Sequence, residues 1–259
     1  MRFGAAVRAA RLLEPVIRRT AAYRVHRAIS VDTLADIALC RVTDALHAAG
    51  TCYDAELVIH GWEHLAAAAR TGRGVLLAFP HAMLGSLLVR RLHDEGLAYT
   101  AITADPAMLV SGTRERAVAL LPGQTLLVRA RNRLRDGQVL CAMLDARYGP
   151  KRRGIDVETA DGVRRVSDAL VGLALRCDSA VVFTSVHLEG GAVVARIFDP
   201  GRERSTGAVT AAFAAFVQAQ VAARDGVPAA ALAADAPAPR KAAAGSRRAR
   251  RAKIGARAA

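Results

Sequence analysis

His81 stands where an apolar run stops, the setting in which an imidazole can work as a general base. Residues 72–86 read G-R-G-V-L-L-A-F-P-H-A-M-L-G-S. The glycines at 72 and 74 mark a turn, Val75 to Phe79 predict a short buried strand, and His81 follows Pro80 at its carboxyl end, where α/β sheets place ligands and chemistry. Imidazole titrates near neutrality, so a histidine there can take a proton from a hydroxyl; a structural histidine packed beside a strand is the plainer alternative. Asp145 ends a second buried run, V-L-C-A-M-L, and reads from its neighbours as a cap or turn carboxylate paired with Arg147 or Arg153. The chain has no G-x-S-x-G elbow, no G-x-x-x-x-G-K-[ST] loop and no G-x-G-x-x-G fingerprint, which argues against a serine nucleophile of that kind and against nucleotide-phosphate chemistry.

These residues need a scaffold, and the pattern from Leu57 onward supplies one. Helices are predicted over 61–70, 84–95, 113–120, 131–135, 166–176 and 210–224. Strands are predicted over 75–79, 98–103, 125–129, 139–144 and 180–187, with a hairpin at Glu189-Gly190-Gly191 leading into 193–198. Short, continuously apolar strands separated by helices predict an α/β fold, a mainly parallel or mixed sheet covered by helices on both faces. Residues 1–50 read as a basic, amphipathic helical region, with Ser30 as the cap of a helix over 31–49. Residues 51–225 form the α/β domain. Residues 226–259, rich in Ala, Pro, Arg and Lys and without aromatics, are expected to be a disordered tail.

Composition narrows the class. At 259 residues, 53% hydrophobic, the chain can bury one substantial core. Its net charge of +14 is concentrated in the ends, +6 over residues 1–30 and +7 over 226–259, so any anionic partner is expected to meet the ends. Charges interrupt every candidate for a membrane span of ~18 to 20 apolar residues, and Arg8, Arg11, Glu14, Arg18 and Arg19 interrupt a signal-peptide core. A cytoplasmic protein is expected, peripheral at the inner face of the membrane if the basic first helix lies on anionic lipid; a solvated helix packed on the core is the alternative for that helix. Cys40, Cys52, Cys141 and Cys177 form no C-x-x-C pair and read as buried, reduced thiols. The run Arg247 to Lys253 is similar to basic nucleic-acid arms but reads as a solvated extension, so no nucleic-acid partner is expected.

Three segments together carry a family resemblance: G-W-E-H-L-A-A-A-A-R-T-G-R-G-V-L-L-A-F-P-H-A-M-L-G-S from Gly61, L-R-D-G-Q-V-L-C-A-M-L-D-A-R-Y-G-P from Leu134, and G-V-R-R-V-S-D-A-L-V-G-L-A-L-R-C-D-S-A-V-V-F from Gly162. In order and spacing they resemble the lysophospholipid acyltransferase superfamily, in particular its late lipid A (lauroyl and myristoyl) acyltransferase branch, over roughly residues 56–199. The resemblance implies a histidine general base, His81, oriented by a carboxylate five positions on. Here that position is Ser86, which can hold the ring by a hydrogen bond but supplies no charge. It also implies that Asp145 sits at the active-site rim, and that Met83, Arg147 and Arg164 belong to the substrate face. For Arg164 and Arg165 an exposed surface arginine is the alternative. Between Thr100 and Thr113 the chain lacks the Arg and Asn that relatives show, so acceptor recognition differs.

Two functions follow as expectations. The first is transfer of a fatty acyl group from acyl carrier protein or coenzyme A, as co-substrate with no bound cofactor or metal, to a hydroxyl or amine of a lipid or small molecule. His81 would then share a cleft with Ser86 and an apolar groove drawn from Phe79, Met83, Leu84, Met143 and Leu144. The second is a degenerate acyltransferase-fold protein that binds lipid or an acyl carrier partner without turnover.

Overall fold

Alternate residues of one strand belong to opposite faces of a sheet, and the sequence V-L-L-A-F satisfies both faces at once. In the computed structural model, which describes residues 3–48, 57–103, 118–120, 122–145, 154–159, 162–201 and 205–225, all five of these residues are buried. Val75, Leu77 and Phe79 join one hydrophobic cluster, while Leu76 and Ala78 join the other. The strand is the middle one of a seven-stranded sheet.

In chain order the strands are β1 (Leu57–His60), β2 (Val75–Phe79), β3 (Tyr99–Ile102), β4 (Val118–Leu120), β5 (Val139–Met143), β6 (Gly154–Thr159), β7 (Gly162–Ser167), β8 (Ala180–Glu189) and β9 (Ala192–Phe198). The main sheet runs β1-β9-β8-β2-β5-β3-β4. Only β8 and β9 pair antiparallel in it; the other five pairings are parallel. β6 and β7 form a separate antiparallel hairpin.

The helices are α1 (Phe3–Ile17), α2 (Ala21–Ile29), α3 (Leu34–Ala48), α4 (Trp62–Arg70), α5 (Gly85–Asp94), α6 (Leu126–Arg135), α7 (Ala169–Arg176) and α8 (Thr206–Arg224). Residues of α1, α3, α4 and α5 close one face, and residues of α6, α7 and α8 close the other. The fold is α/β, with a mixed, mostly parallel sheet covered on both sides. α1 to α3 belong to one compact unit with the sheet; residues 226–259, the expected tail, lie outside the described residues.

Several elements differ from expectation for local physical reasons. Residues 126–135 form one helix, where the sequence predicts a strand over 125–129 and a helix over 131–135, because Leu126, Ala130 and Leu134 recur every four residues on its buried side. Residues 166–176 divide into the end of β7 and α7. The predicted 113–120 helix ends in strand residues 118–120, and 113–117 lie outside the described residues. Ser30 ends α2 instead of capping α3. Thr33 and Asp36 make the cap by exchanging side-chain to backbone hydrogen bonds of 2.8 and 3.1 Å. α8, at 19 residues, is long and apolar enough by composition to cross a membrane, so charges do not interrupt every candidate; its Val209, Phe213, Val217 and Val221 side is buried in the core. Cys40 and Cys141 are free, buried thiols, and burial pushes Cys141 up to about 12. Cys177 is free and half-buried, and Cys52 lies outside the described residues.

At the start of β2, Gly74 adopts φ +76°, and a Cβ there would strike the Leu134 carbonyl oxygen. Only glycine lets the strand enter this close to the end of α6.

Candidate functional site

Parallel pairing of β2 with β5 sets Phe79 opposite Met143. His81 and Asp145 each lie two residues beyond those partners, so the two candidate groups emerge side by side at the carboxyl ends of the central strands. The His81 N–H donates to Asp145 Oδ2 at 3.0 Å, and the His81 carbonyl accepts from the Val31 N–H at 2.9 Å. Both backbone polar groups of His81 are therefore fixed, and its side chain is half-buried.

The Asp145 side chain is 1% exposed, and burial pushes its pKa up to about 6, against the opposing effects of the His81 N–H and the Arg164 charge. Its Oδ1 has no hydrogen-bond partner among the described residues. Arg164 Nη1 lies 3.9 Å from Oδ2. Arg164 is buried, contrary to the exposed alternative, whereas Arg165 is exposed and bonds Asp156. Arg164 Nη2 donates to the carbonyl oxygens of Arg27 at 3.0 Å and Ser30 at 2.6 Å, and Arg224 Nη1 reaches the same two carbonyls at 2.9 and 3.1 Å. Two guanidinium groups thus satisfy carbonyls at the carboxyl end of α2, which would otherwise be orphaned. Arg164 holds the fold together beside the site.

The α2–α3 turn brings two residues that the sequence analysis did not single out. Asp32, 1% exposed, accepts from the Met83 N–H, 3.1 Å from each carboxylate oxygen, from the Ser30 hydroxyl at 2.9 Å, and pairs with His26 Nε2 at 2.6 Å. The His26 and His81 ring centres are 6.3 Å apart. Burial lowers the His81 pKa, as do the neighbouring His26 and Arg164, while Asp32 opposes them. The ring is therefore neutral at pH 7, the form that can accept a proton.

The structure brings His81, Asp145 and Arg164 together, and adds His26 and Asp32. Ser86 takes no part in orienting the ring: its hydroxyl donates to the Met83 carbonyl at 3.4 Å, a hydrogen bond within the first turn of α5. Among the described residues no carboxylate hydrogen-bonds a His81 ring nitrogen. Met83 is half-buried and contributes its N–H to Asp32; Phe79 and Leu84 are buried in one hydrophobic cluster and Leu144 in the other. Arg147 and Arg153 lie outside the described residues. One signal pointed to the missed turn: S-V-D-T-L-A-D places two acids in an apolar stretch beside hydroxyl residues, the composition of a capped turn.

No family model matches the chain, and no curated protein sequence matches it. The acyltransferase resemblance rests on the three segments that carry it.

Proposed function

We propose that the protein is a peripheral acyltransferase. It moves a fatty acyl group from an acyl carrier protein or coenzyme A thioester to a lipid or small-molecule hydroxyl or amine, with His81 as general base. The supporting observation is His81 itself, with a neutral, half-buried imidazole and a fixed main chain at the carboxyl end of the central strand. In the reaction the acceptor oxygen or nitrogen attacks the thioester carbonyl as His81 takes its proton. Collapse of the tetrahedral adduct breaks the C–S bond, and the proton passes from His81 to the leaving thiolate.

A membrane surface as the workplace is supported by α1 and α2. Leu12 is 79% exposed, Val16 62% and Val25 65%, and they stand among the exposed arginines 8, 11, 18, 19 and 24. An exposed aliphatic stripe edged by cations suits an anionic bilayer.

The test is transfer of labelled acyl chains from both thioester donors to a phospholipid extract. Wild type should transfer and His81→Ala should not; equal rates in the two would remove the proposal. Vesicle sedimentation with Leu12→Glu/Val16→Glu in the full chain should show weaker binding to anionic vesicles, and unchanged binding would remove the membrane surface.

A second reading, a binding protein of the same fold, is favoured by the missing carboxylate at position 86 and by the Ser86 hydroxyl turned to Met83. Ser86→Glu separates the two. A rise in transfer supports the enzyme with a weakened base. Inactivity in both wild type and Ser86→Glu, with lipid binding that survives His81→Ala, supports the binder.

A further inference from the structure

The Asp32 carboxylate is out of solvent and meets three donors, one of them on the loop that carries His81: the Met83 N–H binds its oxygens, while the neighbouring Val31 N–H binds the His81 carbonyl. A carboxylate only accepts, so His26 donates to it from Nε2. The His26 side chain is 15% exposed, and its ring is tilted 57° to that of His81 with no hydrogen bond joining them. The groups facing His81 are then His26 from α2, Asp32 from the turn, Asp145 after β5 and Arg164 from β7. Of the two carboxylates, Asp145 binds the His81 main chain through Oδ2, and its Oδ1 has no hydrogen-bond partner among the described residues.

We propose that Asp32, held by His26, is the charged partner of the His81 imidazolium, taking the place of the acid that position 86 lacks. The carboxylate meets the loop that carries His81, at the Met83 N–H, from the amino-terminal side of the chain instead of from the following helix. His26 and Asp32 act through His81 and are positioning residues: His26 holds the Asp32 carboxylate beside the ring. The assignment rests on the acyl-transfer reading for its reaction, but not for its geometry.

The experiment uses full-length protein with isotope-labelled histidine, following the His81 ring by NMR across pH alongside acyl transfer. Asp32→Asn, which keeps an acceptor for Met83, should move the His81 midpoint down and lower kcat about 100-fold or more with the thioester KM unchanged. His26→Gln, which removes the like charge, should move the midpoint up and also lower kcat. Folded variants whose His81 midpoint stays at the wild-type value overturn the proposal even if kcat falls, since the pair would then be structural. If Asp32→Asn does not fold, His26→Gln decides in the same way. If wild type transfers nothing, the acyl-transfer reading fails by itself, and the titrations still decide whether Asp32 and His26 control the His81 proton.

Discussion

The turn after α2 and the first turn of α3 each supply an aspartate to a histidine, and the pairs differ in what they leave open. Asp32 holds His26 by one nitrogen, beside a second imidazole at the end of the central strand. Asp36 holds His187 of β8 by Nδ1 at 3.0 Å, and the other nitrogen meets Gln220 Oε1 of α8 at 3.0 Å. Asp36 also accepts from the Leu188 and Thr33 N–H groups. Both of its oxygens and both nitrogens of His187 are used. A carboxylate and an amide oxygen each only accept, so with Gln220 in this orientation both His187 nitrogens donate, an arrangement that favours the imidazolium. Burial opposes that charge, but the hydrogen bond and charge of Asp36, with the Gln220 bond, outweigh it and raise the His187 pKa. The two pairs share chemistry and burial; a ring with a nitrogen to spare can serve a reaction, and a ring with both engaged serves the fold.

Removing the acid from the saturated pair should show this most strongly. Asp36→Ala leaves a buried imidazolium without its counter-charge and should cost about 3 to 5 kcal/mol in urea unfolding. A loss below about 1 kcal/mol would break the contrast. His187→Gln is milder, costing about 1 to 2 kcal/mol, and should leave acyl transfer at the wild-type rate, unlike His26→Gln. An equal loss of transfer in both variants would erase the distinction between the pairs.

His187 and His81 predict opposite pH behaviour. A raised His187 pKa adds stability that is complete below the unfolded value of about 6.5 and is lost as pH rises through the folded value. His81, with a lowered pKa, does the reverse: it costs stability as pH falls from about 6.5 through its folded value. His187→Gln should therefore remove a decline in unfolding free energy on the alkaline side of pH 6.5; an unchanged curve would contradict the imidazolium. Asp145 adds a third window. Its stabilising proton is present below 3.8 and lost as pH rises through about 6, so Asp145→Asn should flatten the curve between those values. The smallest effect belongs to an exposed pair: Arg73 and Asp178, more than half exposed at 2.7 Å, should lose under about 1 kcal/mol on Arg73→Ala.

What the sequence made legible followed burial. The β2 and β5 strands read correctly because five consecutive apolar residues between turn signals leave few alternatives, and His81 and Asp145 were visible because they end those strands. The β6–β7 hairpin was missed because its pattern is inverted: Val163 is 66% exposed while Arg164, next to it, is buried. An alternation rule puts valine inside and arginine outside, and here carbonyls from α2 compensate the buried arginine. His26 and Asp32 were missed for a different reason. They are six residues apart across a helix end, and their meeting with Met83 depends on how the N-terminal helices dock on the sheet, a tertiary fact that local spacing does not encode.

The clamp on α2 sets a timetable. The carbonyls of Arg27 and Ser30 are held by arginines at positions 164 and 224, and Arg27 itself pairs with Asp225. During synthesis the segment bearing His26 and Asp32 leaves the ribosome nearly two hundred residues before its last fastener. Domains made from the amino terminus can begin to fold early. This corner cannot close until α8 has been translated, so a nascent or prematurely ended chain carries His81 without the completed surroundings described above.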